Sequence, residues 1–378
     1  MMSMCDRGKG AGLIGLMLIA FCLFGQAQER REVDIPDILG YQTLACDFHM
    51  HSIFSDGEVW PTVRVREAWQ EGLDAIAITD HIEYLPYRKD VSTDLNRPYQ
   101  IALPTAQDYR MVLIQGGEIT RRMPPGHWNA IFLSDVNALK QDDWRDAMLE
   151  AINQGAFLFW NHPGWRGQQK DGIARWYDEH TELYEQAWMM GIEVVNFREY
   201  YPEVHQWCLE KQLTMLANSD IHAPIGMGYD FAAGEHRPMT LVFAEEKSAG
   251  AIHDALRERR TAVYWQDTLI AEAQYLEAIF EVSAQVLNPE LVLQPGQVAS
   301  LQIHNHSEIP FHLRALSGDQ SIKYPVELVL PAHRTVRCKV SLPKEATVPE
   351  EALALEYTVE NLLVAPDRGL PVKLEIAR

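Results

Sequence analysis

The residues best equipped for chemistry come in short clusters of imidazoles and carboxylates. The first is Asp47-Phe48-His49-Met50-His51-Ser52, followed by Ser55-Asp56-Gly57. Side chains two apart on a strand share a face, so His49 and His51 can grip one ion. Imidazole nitrogens suit zinc, iron or manganese better than calcium. A single pair at this spacing carries little weight, because half-exposed strands place polar residues that way without any ligand. Repetition changes the weight. Asp80-His81 closes the apolar run 75–79, Glu118 follows the run 112–114 and two glycines, and His162 closes 157–161. Asp220 and His222 follow 214–218, and His127 opens another apolar run. Taken singly, a strand-end His or Asp reads as a turn or capping residue. Six of the chain's 14 histidines at such places, beside Asp56, Glu118 and Asp220, point instead to a polynuclear metal site.

The elements that must carry these residues alternate short apolar runs with amphipathic stretches between about 43 and 265, the pattern of βα units. Strands are expected at 44–51, 73–79, 111–118, 127–133, 156–162, 192–197, 213–220, 239–244 and 261–265. Helices are expected at 61–70, 138–153, 176–189, 202–211 and 248–258. The segment 83–110, with its prolines and little periodicity, reads as a long loop. Residues 119–126 are too few for a helical crossover, so the strands on either side form an antiparallel hairpin. His127, at the start of the second strand, then lies beside Glu118 at the end of the first. In a barrel of βα units the C-terminal strand ends form the functional rim. The hairpin makes this barrel irregular, and it gathers all nine candidates on one rim.

Composition bounds the rest. A basic start at Arg7 and Lys9, an apolar run over 13–24 and small residues at 25–27 read as a secretory leader over 1–27, too short to span a bilayer. Lipid attachment at Cys22 is disfavoured by Phe21 before it. The expected location is therefore periplasmic or extracellular, with no transmembrane helix once the leader is removed. A net charge of −20 leaves no basic stripe for a nucleic-acid backbone. It does not exclude a small anionic substrate, because bound cations can dominate the local field. Cys46, Cys208 and Cys338 are odd in number and scattered, so they form no disulfide framework. The barrel is expected over 40–268 and a helical connector over 269–282. A β-sandwich is expected over 283–378, where nine of the 20 prolines fall and helical periodicity ends.

Taken in order, seven motifs resemble those of the polymerase and histidinol phosphatase (PHP) superfamily of metal-dependent phosphoesterases. They are Asp47-Phe48-His49-Met50-His51-Ser52, Ser55-Asp56-Gly57, Thr79-Asp80-His81, Gly117-Glu118, Gly126-His127, Asn161-His162-Pro163 and Ser219-Asp220-Ile221-His222. The leader, Asp220-Ile221-His222-Ala223-Pro224 and the β-rich tail look closest to an exported, haloalkyl-phosphate-hydrolysing phosphodiesterase branch. The resemblance implies an irregular (β/α)7 barrel with two to three divalent ions: manganese, zinc or iron. By motif, His49, His51, Glu118 and Asp220 would hold the first ion. Glu118 would bridge to a second, held also by His127 and His162. Asp56, His81 and His222 would hold the third, and Asp56 stands where many relatives carry histidine. Asp80 would orient a ligand from behind.

Two ions could hold a shared hydroxide between them and clamp two phosphoryl oxygens, so no separate nucleophilic side chain is required. The expected activity is hydrolysis of a small phosphoester, with a diester first and a monoester second. A metal-stabilised binding protein is the alternative from another class. Arg121, Arg122 and Arg198 follow strands near the rim and are candidate phosphate contacts, Arg198 with a catalytic role. His236 and Arg237, just before a strand, are candidate substrate contacts. His304-Asn305-His306 repeats the HxH spacing in the tail, yet no carboxylate or further histidine clusters with it, and it reads as a solvent-facing strand end. The sequence leaves subunit number open.

Overall fold

A computed structural model of the chain describes residues 29–291, 293–316, 322–345 and 353–376. The leader expected over 1–27 lies outside the described residues, as does Cys22. Eleven short strands supply the scaffold of the N-terminal layer: β1 (Gln42–Asp47), β2 (Ala75–Ile78), β3 (Val112–Thr120), β4 (His127–Ile131), β5 (Phe157–Trp160), β6 (Gly191–Asn196), β7 (Glu199–Tyr200), β8 (Thr214–Asn218), β9 (Met239–Ala244), β10 (Thr261–Trp265) and β11 (Thr268–Ile270). Most are buried along their whole length, which is why they read as continuous apolar runs rather than alternating ones.

β1, β2 and β3 pair in parallel; β4 runs antiparallel to both β3 and β5; β5, β6 and β8 are again parallel. The ring closes at its rim, where the chain beyond β1 meets the chain beyond β8. Met50 bridges Ile221, the His51 N–H donates to the Ile221 carbonyl, and the Asp220 N–H donates to the His49 carbonyl. Below that closure β9 lies antiparallel to β1, and its Thr240 hydroxyl accepts from the Ala217 N–H and donates to the Ala217 carbonyl. This is the irregular (β/α) barrel expected from the pattern. Phe48, Phe157, Phe159, Leu216 and Ile131 belong to a buried apolar cluster that packs between the strands.

Beyond the helix expected over 138–153, which begins only at Trp144 after a short 3-10 turn over Val136–Leu139, two elements differ from expectation. The segment read as a long loop contains the helix Arg97–Asp108. Its buried residues are Pro98, Ala102 and Ala106, small groups at helical spacing that give almost no hydrophobic contrast, and Pro104 interrupts the pattern further. The second difference concerns the barrel edge. β11 pairs in parallel with the C-terminal strand Leu353–Ala365, Leu269 opposite Leu362 and Ile270 opposite Leu363, so one sheet runs from the barrel into the tail.

The tail is a two-sheet β structure. One sheet joins Ala284–Val286, Val298–Asn305 and Thr335–Ser341; the other joins Glu327–Leu330, Phe311–Ala315, Leu353–Ala365 and Arg368–Ile376. The connector helix Ala273–Ser283 buries Tyr275, Leu276, Ile279 and Phe280 between the two layers. Cys46, Cys208 and Cys338 are free and buried, behaving as small apolar groups. No helix among the described residues is long and apolar enough to cross a membrane.

Candidate metal centre

All nine candidate ligands converge on the rim. Turn geometry beyond the strand ends aims them. Asp220 and His162 both adopt left-handed backbone, at φ 49° and 30°. That conformation is costly outside glycine and persists where surrounding contacts over-determine it. The His49 and His51 Nε2 atoms lie 3.1 Å apart, and both lie within about 3 Å of Asp220 Oδ1, at 3.1 and 3.0 Å. Glu118 Oε2 is 3.6 Å from His51 Nε2, while Glu118 Oε1 is 2.8 Å from His127 Nδ1 and 3.7 Å from His162 Nε2. Asp56 Oδ1 lies 3.4 Å from His81 Nε2 and 3.2 Å from His222 Nε2.

These distances are too short for independent surface groups. Some, such as His51 Nε2 to Asp220 Oδ1 at 3.0 Å, are hydrogen bonds, but others bring donor atoms together without hydrogen-bond geometry. Asp56 Oδ1, Glu118 Oε2 and His127 Nδ1 are buried without any hydrogen-bond partner, although other polar atoms crowd them. A buried polar atom left unpaired costs about 1–3 kcal/mol, so several at one point call for a cation. Four donor groups fit one: His49/His51/Asp220, His49/Glu118/His162, His81/Glu118/His127 and His51/Asp56/His81/His222. Shared donors make this one linked centre. The mix of imidazole and carboxylate suits zinc, manganese or iron.

The electrostatics of the metal-free cluster are mixed. Against the opposing effect of burial, the crowded carboxylates raise His49, His81 and His222 above the usual histidine range, whereas Glu118 and His51 are held in the ligand form. Burial alone would raise the Glu118 pKa, but His81 and His127 pull it well below the usual carboxylate range. Burial pushes His51 down to about 3, helped by the like charges of His222 and His81. Both groups therefore present free lone pairs at neutral pH, the protonation state metal binding needs.

Further in, buried groups fix the ligands. Glu193, fully buried in β6, accepts from His49 Nδ1 at 2.8 Å, from the His162 N–H at 2.7 Å, and from Asn196 and Asn218. A carboxylate on the far nitrogen sets the tautomer that turns Nε2 toward a metal. Glu193 lies outside the motifs, and its only sequence signal is one acid inside the apolar strand Gly191–Asn196. Asp80 is buried and accepts from the Ser52 N–H, the Ser52 hydroxyl and the Ser55 hydroxyl. Its carboxylate braces the turn after His51 and approaches a ligand side chain through Ser55, whose Oγ is 3.4 Å from His51 Nδ1, while its carbonyl accepts from the Glu118 N–H at 3.1 Å. Thr120 Oγ1 stands 2.7 Å from His81 Nδ1, a second contact the sequence did not flag.

The centre opens into a cleft of about 700 Å3 walled by Trp165, Phe197, Arg198, Ile221 and Met227. Arg198 thus lines the cleft, but its guanidinium is engaged by Glu235 at 2.8 Å and by the Gly228 carbonyl at 2.8 Å. The other expected cationic contacts lie elsewhere. Arg121 donates to the Gln141 and Asp142 carbonyls and pairs with Glu83, and Arg122 is exposed outside the cleft wall. Arg237 is fully buried, clamping Glu71 with two nitrogens and Asp47 with the third, so a substrate cannot reach it. A strand-leading arginine looks like surface charge in sequence; here β9 turns it inward to tie down the end of β1. His236 lines a smaller neighbouring pocket, with both ring nitrogens facing the backbone carbonyls of Arg237 and Gln266. In the tail, His304 and His306 contact Thr335 and Gln285, and no group of metal-competent donors forms around them among the described residues.

Known proteins bear on this architecture. An Ig-like domain family model matches residues 285–375, the two-sheet tail. An uncharacterized protein of Methanocaldococcus jannaschii is 38% identical over 81 residues, 21% of this chain and 34% of that protein, so the match spans about a third of the relative's length. A solved structure from Bacteroides vulgatus, a two-domain protein containing a predicted PHP-like metal-dependent phosphoesterase, is far more similar. It aligns with TM-score 0.88 and 46% identity over 92% of this chain and 99% of that chain. At that identity and coverage, the chain belongs to the PHP-like family of two-domain proteins.

Proposed function

We propose that the chain hydrolyses phosphoesters with divalent ions held by His49, His51, Asp56, His81, Glu118, His127, His162, Asp220 and His222, and that it prefers diesters. Bound divalent ions supply Lewis acidity and lower the pKa of water toward neutrality. The chain's own residues do the rest. Glu118 spans two donor groups with its two oxygens and holds their spacing. Glu193 keeps the His49 imidazole in one tautomer. Trp165, beside the rings of His127 and His162 at 5.7 and 5.4 Å, gives the cleft an apolar wall next to these ligands.

The diester preference rests on one observation. Arg198 is the sole lysine or arginine on the described cleft wall, and Glu235 already balances its charge. A dianionic monoester would find no free cation beyond the ions themselves. A monoanionic diester, with a second organic substituent to cover Phe197 and Met227, matches that wall better. The test compares bis-p-nitrophenyl phosphate with p-nitrophenyl phosphate under Mn2+, Zn2+ or Fe2+. Diester turnover should exceed monoester turnover, and a chelator should abolish both until metal is restored. Equal or greater monoester turnover would remove the diester preference.

A further inference from the structure

The rim ligands are anchored by two buried charges, Arg64 and Glu193, and neither lies in the seven motifs. Arg64, on the helix Pro61–Gln70, is fully buried and uses its entire guanidinium. Nε donates to the His51 carbonyl at 2.8 Å; Nη1 donates to the Ala223 carbonyl at 2.9 Å and to Glu67 at 2.8 Å; Nη2 donates to the Ile221 and His222 carbonyls at 3.1 and 2.5 Å. Five donors meet five acceptors, four of them backbone oxygens of the two segments that carry His51 and His222. Glu67 extends the clamp by accepting from the Ile225 N–H at 2.9 Å. On the other side of the centre, Glu193 holds His49 and the His162 backbone and makes no contact with the Arg64 clamp.

We propose that Arg64 is a positioning residue for the outer donor group, His51, Asp56, His81 and His222, and that its loss weakens the ion there far more than the ion of the His49/Glu118/His162 group that Glu193 supports. The inference rests on the metal-binding part of the function above. Backbone bonds from the His51 N–H to Ile221 and from the Glu58 N–H to His222 join the same two segments. The clamp adds four contacts from one rigid planar side chain, so it sets how far His51 stands from His222, while Asp56 enters from the turn after His51. A lysine cannot reproduce it, having three donors from one point where five acceptors surround a planar fork.

The experiment measures Mn2+ binding to chelator-stripped full-length protein, wild type against Arg64→Lys, Glu67→Gln and Glu193→Gln. Arg64→Lys and Glu67→Gln should weaken one class of bound Mn2+ by about 10–100-fold, the range seen when groups behind metal ligands are lost. The ion at His49/Glu118/His162, which shares no donor with the outer group, should stay within about threefold on the same scale. Glu193→Gln should weaken the complementary class. In an Asp56→Ala background, Arg64→Lys should cause no further loss of bound metal. Equal weakening of every class, no change, or additive loss with Asp56→Ala would each overturn the assignment. If Arg64→Lys does not fold, Glu67→Gln decides alone. Wild-type protein that binds Mn2+ in separable classes but hydrolyses no phosphoester would sink the function while leaving this assignment standing.

Discussion

At the scale of single residues, the centre works by removing alternatives. Asp220 touches both His49 and His51 through one oxygen and stands in strained backbone, so few other side chains could take its place. Asp220→Ala should therefore lower metal content and phosphoester hydrolysis together, turnover by at least about 100-fold, with far-ultraviolet circular dichroism unchanged. Full hydrolysis with reduced metal would overturn the catalytic role of the ions. A second residue prediction concerns stability and pH. His180 is stacked on Trp160 at 3.8 Å, and burial pushes it down to about 4. Its folded pKa lies below the unfolded value of about 6.5, so the unfolded chain binds the proton first. Stability then falls as pH drops from about 6.5 to about 4, by up to about 3 kcal/mol, and levels off below that. His180→Gln can keep the contacts to Tyr177 N–H and the Pro125 carbonyl. It should be less stable at pH 7 yet show a shallower loss of urea midpoint between pH 7 and 4.5; an unchanged slope would remove His180 from the account.

At the scale of elements, the strand ends decide where ligands point, and this was the most legible part of the sequence. His49, His51, His81, Glu118, His162 and Asp220 each end an apolar run, and buried strands in a barrel deliver such ends to one rim. Even His127 was recoverable, because 119–126 leaves room only for a hairpin, and Thr120 does pair with His127. The supports were not legible. Glu193, Arg64 and Arg237 are charged residues in elements of ordinary composition, and nothing local says whether a charge faces water or a buried partner. That depends on contacts 144 to 190 residues away in the cases of His49–Glu193, Arg64–Ile221 and Arg237–Asp47. The turn 52–57 offers a test at this scale. A Cβ at Gly57 would lie 2.7 Å from the His51 carbonyl carbon and oxygen and 2.8 Å from the Ser52 nitrogen. Gly57→Ala must push the turn off the strand end and carry Asp56 away from His81 and His222. It should cost about 1–3 kcal/mol of stability, as other forced insertions do, and release metal from the outer group. A variant with normal metal content would show that the turn can move without moving Asp56.

At the scale of the whole molecule, the two layers share one sheet and one core. A single buried apolar cluster includes Ile76 and Phe243 of the barrel, Leu276 and Phe280 of the connector helix, and Phe311 and Leu374 of the tail. Tyr275 packs on Phe243 at 5.1 Å and Phe280 on Phe311 at 5.2 Å, so the connector is wedged between layers rather than strung between them. Asn361 adds polar stitching, donating to the Asp267 and Pro310 carbonyls at 2.5 and 2.7 Å and accepting from the His312 N–H at 3.0 Å. Domains joined by a flexible linker unfold separately, whereas layers that share a large apolar contact unfold together. All ten tryptophans precede residue 285, so their fluorescence reports the barrel alone, while calorimetry reports both layers. The two signals should give one coincident transition. Phe280→Ala, which empties a site between layers, should cost about 3–5 kcal/mol and lower both signals by the same temperature interval. A calorimetric peak that splits, with tryptophan emission following only one part, would mean that the tail is an independent module attached to the barrel rather than part of its wall.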